Sequence, residues 1–445
     1  MLPQDVVKIL ETLTDAGHTA WCVGGCVRDA LLGRTPDDYD VATSARPEQV
    51  CALFGPQAIP TGLRHGTVTV FSGSRAVEVT TYRRDGSYSD HRHPDSVAFS
   101  DTLAEDLRRR DFTVNAMAED ASGALCDPFG GQSDLKRKTL RCVGDPDARF
   151  REDALRILRC LRFSSMLDFA VEPDTAAAVH RCRAMLSLVA AERIQKELCA
   201  LLCGRGAARV LREYPDVLGV ILPEILPCVG FAQHNRYHCF DVWEHTLRSV
   251  AAAEPERRLR MAMLLHDLGK PACFTMDSRG DGHFYGHPAV SRELAETILR
   301  RLKFDRSSQS TISVLVEWHD RPVQQSERSL RRALRALGEE RLRLLLKVKR
   351  ADNLAQAPET WEVQEEITRG EALLDSLVRD GACFSLGQLA VRGGDLMRLG
   401  LRGRAVGETL DALLSAVVDG ELPNERAALL AAAEKRIPGG DPHGS

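Results

Sequence analysis

The sequence predicts a mixed α/β head followed by an all-helical remainder, and three observations carry that prediction. Period-two alternation of β-branched residues is concentrated in the first 140 residues, in "GTVTVF" (66–71) and "AVEVTTY" (76–82), with "SGSR" between them as a hairpin signal. Beyond about residue 145 the apolar residues recur at three and four, as in "EDALRILRCLRFSSML" and "AERIQKELCALLCG". The chain has 445 residues, 44% of them hydrophobic, which is enough for two to four domains.

Taken in order, residues 3–16 read as a helix, with Val6, Leu10 and Leu13 on one face and Gly17 ending it. "TAWCV" (19–23) reads as a short strand, and Gly24-Gly25 turns the chain into a helix start at Val27-Arg28-Asp29. The two alternating segments complete the head. Helical periodicity then continues through "DVWEHTLRSVAAAE", "ERRLRMAMLLHDLG", "SRELAETILRRLKF" and "SLRRALRALGEERLRLLLKVKRADNLAQ". The expected division is a head at 1–140, a helical neck at 141–230, a further helical domain at 231–360 and a helical tail at 361–445. "RIPGGDPHGS" (436–445) is expected to fray. No internal repeat is visible.

The head contains "WCVGGCVRDALLGRTPDDYDVAT" (21–43), in which Asp38 and Asp40 flank Tyr39. On a strand alternate side chains share a face, so the two carboxylates converge while Tyr39 points away. Like charges that close repel unless something positive lies between them. Two convergent carboxylates suit Mg²⁺, and two such ions would activate an attacking hydroxyl and steady a leaving pyrophosphate. Glu78, between Val77 and Val79, offers a third carboxylate. Backbone N–H groups at Gly24-Gly25, together with Arg28, can cradle a triphosphate. A glycine turn, a basic residue and a same-face aspartate pair describe a nucleotidyltransferase. An isolated Asp-x-Asp is more often a solvated turn.

This opening segment resembles the first motif of the class II CCA-adding tRNA nucleotidyltransferases and the related bacterial poly(A) polymerases. Four further segments are similar to later motifs of that family, in family order, and together they span roughly residues 20–205. "RRDFTVNAMA" (109–118) resembles the ribose and phosphate motif, and "DPFGG" (127–131) the head–neck hinge. "EDALRILRCLRF" (152–163) resembles the nucleotide-selecting motif, and "ERIQKEL" (192–198) the neck-stabilising one.

Physically, Arg109, Arg110 and Asp111 set two cations and an anion beside an expected helix start, suited to phosphate contact. Asp111 holds a ribose hydroxyl or caps the helix, and Asn115 offers an amide to the sugar. Asp153, Arg156, Arg159 and Arg162 recur every three residues and form one helical stripe, either a nucleotide face or a salt-bridged solvent face. Asp153 and Arg156 are expected to read the base: a carboxylate and a guanidinium suit the amine and ring nitrogen of both cytosine and adenine.

A second constellation lies downstream. His245 in "DVWEHT", His266-Asp267 in "LLHDLGK" and Asp352 in "RADNLAQ" resemble the ligand set of the HD metal-dependent phosphohydrolases. His287 and His319 lie between them and would permit a second metal. The resemblance implies Mn²⁺, Ni²⁺, Co²⁺ or Mg²⁺ at this site and a 2′,3′-cyclic phosphate on damaged RNA ends as substrate. His234 and His238 fit no slot and read as surface or RNA-facing.

Charged residues make up 27% of the chain and the formal net charge is −4, so a nucleic-acid partner requires local positive charge. Arg301–Arg350 holds 13 Lys and Arg against 6 Asp and Glu, a local net of +7. Arg331, Arg332, Arg335, Lys347 and Lys349 are expected to follow tRNA phosphates along the acceptor and T arms. The start "MLPQDVVKIL" does not read as a secretory signal, and no run of about 18 apolar residues exists to span a membrane. The thirteen cysteines form no CxxC pair and read as reduced thiols, which fits a cytoplasmic protein. Cys22 and Cys26 lack a second ligand pair for zinc.

The leading expectation is addition of C, C and A to tRNA 3′ ends from CTP and ATP, with no DNA or membrane partner. The nearest rivals are a poly(A) polymerase, disfavoured by "TGLRHGTVTV" (61–70) and by a tail that is not strongly basic, and a relative adding only CC or only A. From another class comes an HD phosphohydrolase whose head merely binds RNA or nucleotide; the intact carboxylate set argues against it.

Overall fold

The computed structural model describes residues 2–63, 66–86, 97–235, 239–322 and 326–436. All but Arg436 of the end expected to fray at 436–445, His238 and two residues of the 61–70 segment lie outside them. The chain forms two compact units, Met1–Leu226 with Arg301–Phe304, and Pro227–Arg300 with Asp305–Ser445.

The first unit opens with α1 (Gln4–Asp15), which buries Val6, Ile9, Leu10 and Leu13. Gly17 ends it at φ +83°, a conformation glycine adopts without steric cost. Among the described residues the sheet of the head is built of β1 (Ala20–Val23), β2 (Asp40–Thr43), β3 (Ala58–Gly62), β4 (Thr67–Ser72), β5 (Arg75–Thr81), β8 (Ala118–Glu119) and β9 (Leu125–Cys126). Their order is β3-β4-β5-β2-β1-β8-β9. β2 runs parallel to β5 and antiparallel to β1, so the sheet is mixed as the sequence predicts. The β4–β5 hairpin closes at Ser72 opposite Arg75. β3 carries no alternation signal because it is an edge strand, mostly exposed, where Pro60 is tolerated. β6 (Arg83–Asp85) and β7 (Val97–Phe99) make a separate small ladder.

Helices α2 (Gly25–Leu31), α3 (Pro47–Phe54), α4 (Leu103–Arg108) and α5 (Gly131–Lys136) accompany this sheet. The neck follows as α6 (Pro146–Glu152), α7 (Leu155–Leu167), α8 (Pro173–Cys182), α9 (Ala191–Leu202), α10 (Ala207–Glu213) and α11 (Pro215–Ile221), with α7 packed on α9. One parallel pair, β10 (Thr139–Leu140) with β11 (Ala170–Val171), interrupts it; two-residue strands are too short to leave a period in sequence.

The second unit is helical apart from the hairpin of β12 (Thr275–Met276) and β13 (Gly282–His283). Its helices are α12 (Val242–Ala252), α13 (Arg257–Leu265), α14 (Lys270–Cys273), α15 (His287–Arg301), α16 (Arg306–Trp318), α17 (Glu327–Leu337) and α18 (Glu339–Leu354). The tail adds α19 (Val363–Arg379), which packs on α18, and then α20 (Gly393–Arg398), α21 (Arg404–Val418) and α22 (Arg426–Glu434) around Val391, Leu396, Leu413 and Leu429.

The basic excess of 301–350 is not an open phosphate track. Arg332 pairs with Asp419 at 2.6 Å, Arg335 with Asp411 at 2.6 Å, Lys347 with Glu254 at 2.6 Å and Arg331 with Glu327 at 2.6 Å. Lys349 is buried and donates to the carbonyls of His319 and Arg321. The acids that neutralise most of this stretch come from distant segments, so a local count overstates its field.

Candidate functional site

β2 begins at Asp40, so Asp38 stands just before the strand and not within it. The alternation still holds at the strand entry, because Tyr39 is buried while Asp38 and Asp40 are exposed. Parallel register sets Asp40 beside Glu78. Although its side chain opens to the cleft, desolvation by the surrounding protein raises the Asp40 carboxyl above its ordinary range; Arg110 draws it back, and Glu78 and Asp38 add to the rise. The positive group that the aspartate pair demands is therefore Arg110. Mutual repulsion among three carboxylates is what a divalent cation with oxygen ligands relieves, so the donor set fits Mg²⁺.

Gly24 has φ +85° and caps α2. A Cβ on it would lie 2.8 Å from Nη1 of Arg110, so only glycine lets the turn and that guanidinium approach. Arg28 is buried, donating to Asp29 at 2.8 and 2.9 Å and to Oδ1 of Asn115 at 2.6 Å. Arg109 and Arg110 follow the end of α4, not a helix start as the sequence predicts, and buried Asp106 accepts from them at 2.9 and 3.2 Å. Asp111 caps no helix. Its Oδ1 accepts from the Phe112 N–H and the Asn115 amide, and its Oδ2 accepts from Arg159 at 2.6 and 2.8 Å. Burial would raise this carboxyl, but Arg159 and Asn115 outweigh it and hold it at about 2.

In the neck, α6 ends at Glu152 and α7 starts at Leu155, with Asp153 extended between them (φ −137°). Asp153 is thus off the helical stripe, which is formed by Arg156, Arg159 and Arg162 alone. Arg193 on α9 holds Asp153 at 2.8 Å. Arg156 donates to Glu152 at 2.5 Å and to the Arg109 carbonyl at 3.0 Å, tying neck to head. Arg162 donates to Glu197 at 2.5 Å. The Phe163 ring lies 5.1, 5.4 and 3.9 Å from the guanidinium carbons of Arg28, Arg159 and Arg162, and packs edge-on against Phe112. Arg28, Arg109, Arg110, Arg156, Arg159 and Arg162 share a cleft of about 700 Å³ with Gly24, Gly25, Asp38, Asp40 and Asp153. Sequence reasoning missed Asp106, Glu152, Phe163, Arg193 and Glu197. The spacing of Arg193 and Glu197 within "ERIQKEL" was the available signal for the last two. The "DPFGG" turn caps α5 through Asp127, which accepts from the N–H groups of Gly131 and Gln132 at 2.7 and 2.9 Å.

The second unit brings His245, His266, Asp267, His287, His319 and Asp352 into one cluster. Asp267 lies between two imidazole pairs: its Oδ2 is 3.4 and 3.2 Å from Nε2 of His245 and His266, and its Oδ1 is 3.4 and 3.5 Å from Nε2 of His287 and His319. Asp352 reaches Nε2 of His245 at 2.9 Å and of His266 at 3.5 Å. Each histidine directs Nδ1 to a backbone carbonyl, of Ala355, Met263, Phe284 and Val316 in turn, at 2.6–3.3 Å. With each Nδ1 turned to a backbone carbonyl, every Nε2 faces the carboxylates, the orientation a metal-ligating imidazole takes. Both Asp267 oxygens are buried without a hydrogen bond of ordinary geometry, although the Lys270 ammonium lies 2.7 Å from Oδ2. Burial lowers the His266 pKa, but Asp267 and Asp352 outweigh it and carry it up to about 10, so the cluster attracts positive charge. His245, His266 and Asp267, and Asp267, His287 and His319, are donors of the kind that would hold divalent cations. His234, by contrast, is exposed.

A mixed α/β head with clustered carboxylates and an arginine-lined cleft is a nucleotidyltransferase architecture, and residues 20–141 match the poly(A) polymerase head domain. Residues 168–227 match a probable RNA- and SrmB-binding site of polymerase A, and 287–433 a putative tRNA nucleotidyltransferase domain 2. The chain is 37% identical over 434 residues to the CCA-adding enzyme of Geobacillus stearothermophilus, covering 96% of each, and 32% identical over 447 residues to that of Levilactobacillus brevis. The crystal structure of the Bacillus stearothermophilus CCA-adding enzyme in complex with CTP is similar across 98% of both chains, at 34% identity and a TM-score of 0.73. The chain belongs to the CCA-adding enzyme family. Among the described residues no helix is long and apolar enough to cross a membrane.

Proposed function

We propose that this protein adds CMP, CMP and AMP, from CTP and ATP, to the 3′ end of tRNA in the cytoplasm. The observation that carries the proposal is the single cleft that gathers Asp38 and Asp40 with the arginines of head and neck. Asp38, Asp40 and Glu78 would hold Mg²⁺, which when bound supplies charge neutralisation at the phosphates and acidifies the attacking hydroxyl. Arg28, Arg109 and Arg110 bind the triphosphate, their guanidinium groups already oriented by Asp29, Asn115 and Asp106. Asp111 and Asn115 set the sugar side of the cleft, with Asp111 acting through Arg159 and Asn115. Asp153 and Arg156 read the base, with Arg159 and Arg162 behind them. The neck segment 141–230 turns on the head, 1–140, at Asp127–Gly131. The helical regions 231–360 and 361–445 carry the second metal cluster and the tail, and the tRNA acceptor and T arms lie along the helical part.

His245, His266, Asp267 and Asp352, with His287 and His319, would hold Mn²⁺, Ni²⁺, Co²⁺ or Mg²⁺, supplying Lewis-acid polarisation of a phosphoryl oxygen. The proposed reaction is hydrolysis of a phosphoester such as a 2′,3′-cyclic phosphate, which frees a 3′ hydroxyl for the head to extend. The test incubates the protein with CTP, ATP and a tRNA transcript lacking its last three nucleotides, and sequences the product ends. CCA ends support the proposal; oligo(A) tails, or ends stopping at CC, assign one of the narrower activities.

A further inference from the structure

The hairpin of β12 and β13 stands beside the imidazole cluster and carries two aromatic rings. His283 and Tyr285 stack with centroids 5.2 Å apart and 10° between their planes. Their placement is enforced. Asp277 accepts from the His283 imidazole at 3.1 Å and from the N–H groups of Arg279 and Asp281 at 2.8 and 2.9 Å, closing the hairpin turn. At the hairpin base, the Gly282 N–H donates to the His234 carbonyl at 2.7 Å, and a Cβ on Gly282 would lie 2.2 Å from the carbonyl oxygen of Gln233. The strand is thereby clamped to residues 233–234.

Tyr285 nevertheless remains 77% exposed. A ring stacked on an anchored imidazole yet left to solvent keeps apolar area open to a partner. Both rings line a cavity of about 580 Å³ that also exposes Asp267, His287, His319 and Asp352, with Lys270 and Arg279 on its wall. That volume suits a small ligand. The same lining thus brings candidate metal ligands and the Arg279 cation together with an aromatic face.

We infer that the His283–Tyr285 pair is a stacking platform for the nucleobase of a nucleotide whose phosphate lies at the imidazole–carboxylate cluster. The ligand class is a nucleotide or an RNA 3′-terminal residue, not a sugar phosphate without a base. Stacking tolerates any base, so the platform contributes affinity with little sequence preference. The inference rests on the phosphohydrolase reading proposed above and adds to it the half of the ligand that the metal ligands cannot recognise.

The test is photo-crosslinking with 8-azidoadenosine monophosphate on the full chain, with labelled peptides mapped by mass spectrometry. The peptide containing Tyr285 should be labelled, and AMP should compete about tenfold better than ribose 5-phosphate, the lower part of what base stacking contributes. Tyr285→Ala should abolish labelling of that peptide and Tyr285→Trp should retain it, with head-cleft peptides labelled equally in all three proteins. Equal competition by ribose 5-phosphate, absence of labelling at this peptide, or labelling unchanged in Tyr285→Ala overturns the platform. Bound divalent metal is measured in parallel in wild type and His266→Ala. Base-dependent labelling without bound metal sinks the phosphohydrolase reading alone, and bound metal with base-independent competition sinks the platform alone.

Discussion

Asp153 accepts two hydrogen bonds from Arg193, the closer at 2.8 Å, so the turn between α6 and α7 is tied to α9. A carboxylate fixed this way presents a constant acceptor to a base, as Arg156, held by Glu152, presents a constant donor. Cytosine and adenine offer an amine beside a ring acceptor. Uracil and guanine offer the reverse and leave unmatched groups, at about 1–3 kcal/mol each. Asp153→Ala is expected to lower CTP and ATP use and let UTP and GTP compete. Arg193→Ala should act in the same direction and more weakly. Single-turnover incorporation of all four nucleotides checks both, and unchanged discrimination in Asp153→Ala would show that the base is read elsewhere.

Gly24→Ala places a methyl against Arg110 in a left-handed conformation. The conformational strain is on the order of 1–2 kcal/mol. Displacing Arg110 also removes the charge that balances Asp40. Transfer is expected to fall roughly a hundredfold, the scale of a 1 Å misplacement near reacting groups. Urea unfolding and kcat/KM for CTP, measured together, separate the two effects; near-normal transfer would count against Arg110 as the balancing group.

Asp111 supplies the pH dependence. Its folded pKa, about 2, is depressed below the ordinary 3.8, so its contribution is fully present above about pH 4 and is lost as pH falls through about 2. The stabilisation is about 2 kcal/mol. The stability difference between wild type and Asp111→Asn should therefore be constant from pH 7 to 5 and narrow below pH 4. A gap that stays constant to pH 2.5 would mean the Arg159 pair does not depend on that charge.

His266→Ala combined with Asp267→Ala is expected to remove bound divalent metal and phosphoester hydrolysis while sparing nucleotide addition. His319→Ala should release only part of the metal, because it lies on one side of Asp267. Metal content after gel filtration and hydrolysis of a 2′,3′-cyclic phosphate are the measurements. No metal and no hydrolysis in the wild type would make the cluster a structural remnant.

The aspartate pair and Glu78 were legible because a strand period of two leaves few choices about which side chains share a face. The helical stripe of the neck was legible only in part. Spacing by three places Arg156, Arg159 and Arg162 correctly, but says nothing of the break between Glu152 and Leu155 that takes Asp153 off the helix. The six residues of the second cluster could be named one by one, whereas the position of Asp267 between the four imidazoles comes from their helices converging. Charge failed most clearly: Arg332, Arg335 and Lys347 look like a basic patch until Asp419, Asp411 and Glu254 arrive from segments about 75 to 95 residues away. Pairing at that separation leaves no local signal.

Asp38 and Asp40 are proposed to carry nucleotidyl transfer to tRNA. That role is measured by incorporation of labelled CMP and AMP into a tRNA lacking its 3′ CCA, by wild type and by Asp40→Ala, with the fold of each checked by thermal unfolding. The expected result is a variant folded at least as stably as wild type, relieved of repulsion with Glu78 and Asp38, that incorporates almost nothing. Full transfer by folded Asp40→Ala would contradict the account.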